Sequence, residues 1–219
     1  MDFGHWAPGT QLVLRSLAFE GGVSMGGMMG DGSDQLPDGA ALDVCRFNVG
    51  SGAAMGEKLP QRLANIAPPP EPRLAVNAVQ PKVFEVTMGM MTWGINGRGF
   101  DMLGTTAMET VKVWTQEVWA FHNTGRGSMM GMNMPHVIHV HGLQFLVLGR
   151  AVSADFSGEY DSIKNGLVDT GCKDTVLLMP GERIRILLRF SDHTGPSLYH
   201  CHMLEHEYNG LMRNYRVVA

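Results

Sequence analysis

Apolar and polar residues alternate in short runs along most of this chain, and few stretches carry the spacing of a helix. Val111, Val113, Thr115, Glu117 and Trp119 share one parity; Lys112, Trp114, Gln116 and Val118 share the other. That run predicts one long strand. Arg183 to Phe190 alternates in the same way after a Pro180-Gly181-Glu182 turn. Further strands are expected at Gln11 to Phe19, Leu42 to Val49, Lys82 to Met88, His136 to Leu148, Thr175 to Met179, Leu198 to Cys201 and Met212 to Val218. Many short strands separated by Gly, Asp and Pro predict an all-β sandwich or barrel.

Two breaks interrupt the pattern. Residues 20–40 contain GGVSMGGMMGDGSD and read as a loop; residues 67–72, APPPEP, read as a stiff extended connector. Two strands precede the connector, too few for an independent sheet. Residues 1–49 are therefore expected to be the last strands of a preceding domain, 50–75 a Pro-rich linker and 76–219 the main domain. The 219 residues carry a net charge of −4 with only 17% charged residues, which argues against a nucleic-acid or anionic-membrane partner. No apolar run is long enough for a membrane span, and MDFGHWAPGT lacks the pattern of a signal peptide.

The chemistry concentrates in two short segments. Six of the nine His fall in His136-Val137-Ile138-His139-Val140-His141 and His200-Cys201-His202-Met203-Leu204-Glu205-His206. Side chains on a strand alternate between faces. If the two segments are neighbouring strands, His139, His141, His200 and His202 converge on one side. His136 and Cys201 converge on the other, and His206 folds back to them from the following loop. A His-Cys-His set is the ligand signature of a blue-copper electron-transfer site, and the thiol must lose its proton to bind. The imidazole group is a metal site by type, and Cys201 is joined through the backbone to His200 and His202. Structural zinc needs four ligands, fewer than the seven here. A metallo-β-lactamase needs H-x-H-x-D-H, but His139-Val140-His141 is followed by Gly142-Leu143-Gln144. A cupin set of His200, His202 and Glu207 lacks the expected Gly at Thr194 and ignores Cys201.

With these residues in view, the chain resembles the carboxy-terminal part of a three-domain multicopper oxidase of the bacterial laccase and cuprous-oxidase type. HVIHVHGLQFLVL is similar to that family's H-x-x-H-x-H-G element, and HCHMLEHEYNGLM to its H-C-H-x-x-x-H closing element. INGRGFDM and CKDTVLL resemble the segments that flank them there. Residues 76–219 look like the last cupredoxin domain, a Greek-key β-sandwich, while APGTQLVLRSLAF and DVCRFNVG resemble the tail of the cupredoxin domain before it.

The resemblance implies copper as cofactor, with His136, Cys201 and His206 on the type 1 copper, which takes electrons singly from a phenolic or Cu(I) substrate. It places His139 on the type 2 copper and His141, His200 and His202 on the type 3 pair, where dioxygen is reduced to water. Glu207 matches a carboxylate that helps deliver protons to oxygen; its alternative is an ordinary loop acid. The family's cluster uses eight His, and this chain supplies four, so the resemblance implies a missing amino-terminal cupredoxin partner in the same or another chain. A periplasmic or secreted location is implied as well. A non-catalytic type 1 electron carrier and a metal-free interaction module are the rival readings.

The position that in some relatives carries an axial Met is Leu211 here, with Met212 next. Leu211 is expected to face the copper without bonding; a register slip that brings in Met212 is the alternative. Met129, Met130, Met132 and Met134 run into Pro135 and His136, and Met25, Met28 and Met29 cluster in the Gly-rich loop. Thioethers are soft ligands for Cu(I) and also adaptable packing groups. Cys45 and Cys172 are expected to be small buried hydrophobes, with a disulfide in an oxidising compartment as the alternative, and His5, His122 and His193 ordinary surface or satisfied histidines.

Overall fold

The computed structural model describes residues 3–19, 39–52, 58, 60–61, 68–88, 93–125 and 134–219. Its elements are β1 (Gln11–Arg15), β2 (Asp43–Asn48), β3 (Lys82–Met88), β4 (Trp93–Ile95), β5 (Thr110–Lys112), β6 (Thr115–Asn123), β7 (His136–Val140), β8 (Phe145–Val152), α1 (Ser157–Ile163), β9 (Cys172–Lys173), β10 (Thr175–Leu178), β11 (Glu182–Phe190), β12 (Gly195–Cys201), α2 (Leu204–Tyr208) and β13 (Met212–Val218). Strands β1 and β2 form a separate antiparallel pair. The others form a five-stranded sheet, β10-β7-β12-β13-β5, and a six-stranded sheet, β4-β3-β6-β11-β8-β9. Pairing is antiparallel except for β3 with β6 and β13 with β5. The expected all-β cupredoxin-like sandwich is present, preceded by a small separate sheet.

Alternation explains where the core lies. On β6, Glu117, Trp119, Phe121 and Asn123 share one parity, and Trp119 and Phe121 have no exposed surface. They meet Phe84 of β3, Tyr199 of β12 and Tyr215 of β13, with Trp119 5.7 Å from Tyr199 and 5.6 Å from Tyr215 between ring centres. The opposite parity of β6 is covered too: Val118 packs with Leu187 and Ala75 on the outer face. There the Asn77 side chain bonds both backbone groups of Val118, at 2.9 and 2.7 Å, stapling the segment after the connector to β6.

Two expected strands are each divided. The run Val111 to Trp119 breaks after Lys112, where Trp114 takes a φ of 65° and lies exposed. The run His136 to Leu148 breaks after Val140, with Gly142 at φ 79°. In both places the chain leaves the five-stranded sheet for the six-stranded one, and alternation continues on both sides of the corner, so periodicity alone does not reveal it. Gly142 has the glycine needed for left-handed backbone, whereas Trp114 is anchored there by its amide bond to the Phe190 carbonyl, 2.6 Å.

A second departure concerns the cysteines. Cys45 and Cys172 are free and exposed rather than buried. Cys172 lies on a two-residue strand at the sheet edge, and Cys45 on a two-stranded ribbon with no layer packed against it among the described residues. His5 and His193 are exposed and His122 is partly buried. His193 pairs with Asp192, and His122 lies 3.9 Å from Glu85, as expected of ordinary histidines.

Candidate metal centre

Strands β7 and β12 are antiparallel neighbours, with His200 opposite His139 and Cys201 opposite Ile138. Residues opposite each other share a face, so the pleat sorts the side chains into two groups back to back. On the buried face, donor atoms of His136, Cys201 and His206 lie within 4.8 Å of one another. The His136 and His206 Nδ1 atoms are 3.1 Å apart, and Cys201 Sγ is 3.3 Å from His206 Nδ1. On the other face, His139, His141 and His200 form a second set within the same limit, and His141 Nε2 is 2.9 Å from His200 Nε2. His202 stands beside them, exposed, its ring centre 5.4 Å from His139 and 5.2 Å from His200.

Each group is held by its backbone. His202 donates its amide to the Val137 carbonyl at 2.6 Å, so the pairing of the two segments runs past the end of β12. The Val137 amide donates to Cys201 Sγ at 3.4 Å. His206 reaches the buried set from α2, a single turn between β12 and β13. The Leu211 carbonyl accepts from the Cys201 amide and the Leu211 amide donates to the His206 carbonyl, both at 3.0 Å. Leu211 is fully buried. Met212, by contrast, is paired with His200 across β12 and β13.

The electrostatics suit metal ligation. Burial lowers the pKa of His136 to about 3, helped by neighbouring His206, and burial also lowers those of His206, His200 and His141. These rings are therefore neutral and keep a lone pair for a metal. Burial pushes the Cys201 thiol up, so without a metal it keeps its proton, which a bound cation would displace. His139 directs Nδ1 at the Asp174 carbonyl, 2.7 Å, and His200 directs Nδ1 at the Cys201 carbonyl, 3.0 Å. Carbonyls only accept, so both rings carry hydrogen on Nδ1 and leave Nε2 unprotonated. Tyr215 donates its hydroxyl to the His141 carbonyl at 2.6 Å, fixing the corner after β7. One thiol and two imidazoles fit a type 1 copper, and the imidazole-only set fits part of a copper cluster.

A profile of the multicopper oxidase family matches residues 75–219. The chain belongs to the multicopper oxidases. It is 38% identical over 132 residues to a laccase of Haloferax volcanii, covering 58% of this chain and 19% of that one. It is 30% identical over 215 residues to a bilirubin oxidase of Albifimbria verrucaria, covering 96% of this chain and 33% of the other. The crystal structure of a variant of the McoA multicopper oxidase from Aquifex aeolicus matches all of this chain and 43% of its own, with a TM-score of 0.73 at 27% identity. The chain thus spans about a fifth of the Haloferax laccase and a third of the bilirubin oxidase. No helix among the described residues is long and apolar enough to cross a membrane.

Some expected residues stand apart from these sets. Glu207 is not in either donor set; its Oε2 is 3.6 Å from His200 Nδ1. Met134 is buried and its carbonyl accepts from Asn123 Nδ2 at 2.8 Å. Met129, Met130 and Met132, like Met25, Met28 and Met29, lie outside the described residues. Sequence reasoning did not find Trp93, whose ring packs against His206, or the Tyr215 bond to His141. Neither has a local signal, because each depends on a partner distant in the chain.

Proposed function

We propose that this chain is the carboxy-terminal part of a laccase-like multicopper oxidase that takes electrons singly from phenolic or Cu(I) donors and reduces dioxygen to water. One observation carries the reading: Cys201 on β12 serves the buried donor set while the adjacent His200 serves the imidazole set on the opposite face. Copper bound at the two sets would supply reversible one-electron chemistry on one side and oxygen reduction on the other. His136, Cys201 and His206 hold the type 1 ion; His139 belongs to the type 2 site, and His141, His200 and His202 to the type 3 pair. The Cys201 backbone joins His200 directly and gives electrons a short covalent path between the sites, and the Cys201 carbonyl also orients the His200 ring.

Protons are the chain's second contribution. Glu207 places a half-exposed carboxylate 3.6 Å from His200, where it can pass protons from solvent to the imidazole set. Met129, Met130 and Met132 precede His136 in the sequence and offer thioethers for Cu(I), whereas Met134 is buried and serves packing. The remaining cluster ligands come from an amino-terminal cupredoxin domain in the same or another chain. Support comes from the β1–β2 ribbon, which cannot stand alone and leaves Val13, Leu14, Leu17 and Val44 exposed. A periplasmic or secreted location belongs to the same proposal.

A second reading, a type 1 electron carrier, is favoured by the fact that the buried set is complete within this chain. An oxygen electrode with the copper-loaded chain and a phenolic donor separates what the chain does alone from what it needs a partner for. The donor should bleach the blue band without sustained oxygen uptake, and uptake should appear only with the amino-terminal domains present. Sustained uptake by this chain alone would overturn the split assignment. No uptake with those domains present would leave the carrier.

Leu211 sets the type 1 potential. Its backbone ties to Cys201 and His206, and the pairing of Met212 with His200 puts Met212 on the other face. An apolar residue in the axial position leaves three ligands and raises the potential. Leu211→Met should lower it in a direct electrochemical titration; an unchanged or higher value would contradict the assignment.

A further inference from the structure

The type 1 donor set draws His136 and Cys201 from one sheet of the sandwich, but the opposite sheet also reaches it. Trp93 begins β4, the edge strand of the six-stranded sheet, and its indole meets the His206 ring nearly edge-on, with centres 4.8 Å apart and planes at 71°. His206 is the least constrained of the three ligands by its backbone. It sits on the single turn of α2, between exposed Leu204 and Tyr208, whereas His136 and Cys201 are fixed by strand pairing. Rotation about its Cβ–Cγ bond would carry Nδ1 away from Cys201 Sγ. Among the described residues, the one aromatic ring packed on His206 other than its fellow ligand His136 is Trp93.

Trp93 is itself held firmly. It pairs with Met88 of β3, and two residues later Ile95 is buried. The hairpin is pinned by Asn96, whose Oδ1 accepts from the Glu85 amide at 2.7 Å and whose Nδ2 donates to the Val83 carbonyl at 3.2 Å. A Cβ at Gly94 would strike the Arg98 carbonyl, so the chain returning from the turn packs tightly against the residue after the indole. The ring is half-buried, with an inner part packed against the core.

We infer that Trp93 is a positioning residue for the type 1 site: its indole locks the plane of His206 so that Nδ1 stays aimed at Cys201, and it covers that ligand on the side of the six-stranded sheet. The inference rests on the type 1 assignment of His136, Cys201 and His206. An edge-to-face aromatic pair changes an equilibrium by about threefold to tenfold, so the contact should be visible in how long the site keeps its metal.

The experiment loads the whole chain with Cu(II) and compares wild type with Trp93→Phe and Trp93→Leu. It measures the rate of copper release to a chelator, the energy of the thiolate-to-copper absorption band and the melting of the metal-free chains. Trp93→Leu should release copper about threefold to tenfold faster and shift the band. Trp93→Phe keeps a ring against His206 and should stay closer to wild type in both. Leucine suits an edge strand, so the two metal-free variants should melt together, which separates ligand positioning from general stability. Wild-type release and an unshifted band in Trp93→Leu would overturn the inference, as would equal losses in the two variants. If the wild-type chain forms no blue band, the type 1 assignment itself fails and the inference falls with it.

Discussion

Replacing Cys201 with Ser should abolish the blue copper signal while leaving the chain folded. The thiolate supplies both the soft donor and the charge-transfer absorption of a type 1 site, and a serine hydroxyl supplies neither. The fold should tolerate the change. Serine is close to cysteine in size, and the Val137 amide that points at Sγ offers the new hydroxyl a partner. The cost in stability should be about 1 kcal/mol, the scale of one exchanged hydrogen bond. The two readouts thus move apart: absorption of the copper-loaded protein disappears, while its circular dichroism and cooperative melting persist. The imidazole set lies on the other face of β7 and β12 and does not use Cys201 as a donor. A Cys201→Ser protein that kept an intense blue band would place the copper elsewhere.

Glu109→Gln is expected to have the largest effect on the fold. Glu109 and Arg213 form an ion pair, 2.8 Å at its two closest contacts, with both residues more than nine-tenths buried. Tyr199 donates its hydroxyl to the same carboxylate at 2.8 Å and the Thr106 amide donates at 2.7 Å. Burial pushes the Glu109 carboxyl up, but the donors from Arg213, Tyr199 and Thr106 outweigh it and leave it below its ordinary range. Removing the negative charge leaves a buried guanidinium without a counter-ion. The loss should be about 3 kcal/mol or more, equivalent to roughly 6–12 °C in the melting midpoint of a domain this size. Replacing both partners, Glu109→Leu with Arg213→Met, should recover part of it, because no charge is then stranded.

The sign of the pH effect follows from the lowered pKa. The pair contributes fully above the carboxyl's unfolded value of about 4.3, and its contribution is lost as pH falls through the lower folded value. The gap between wild type and Glu109→Gln should therefore narrow in acid. Equal melting of the two proteins at neutral pH would show that the pair contributes nothing. The effect extends toward the turn after His206, since Arg213 also donates to the Gly99 carbonyl at 3.1 Å and Phe100 lies beside Gly210.

The two donor sets were legible in the sequence because their placement depends on one local rule. Alternation separates Cys201 from His200 and His202, and His136 from His139 and His141, wherever the two segments pair. They do pair, with His200 opposite His139. Residues 136–141 keep this sorting even though β7 ends at Val140, since the His139 and His141 rings remain 4.6 Å apart. The corners at Trp114 and Gly142 were not legible, because a strand that changes sheets keeps its alternating pattern. Nor were the supports of the site. Arg213 meets Glu109 from 104 positions away and Tyr215 meets His141 from 74, and no composition or spacing encodes such pairs. The exposed Cys45 reflects another limit: its pattern is that of a strand, but what covers a strand is decided by the layer packed on it.

A complete type 1 donor set and only part of a copper cluster lie within this chain. Absorption and electron paramagnetic resonance of the chain titrated with copper test this most directly. One strongly held copper per folded chain is expected, with an intense thiolate-to-copper band and the narrow hyperfine splitting of a type 1 ion. A folded chain that takes up copper without that band, or takes up none, would contradict it.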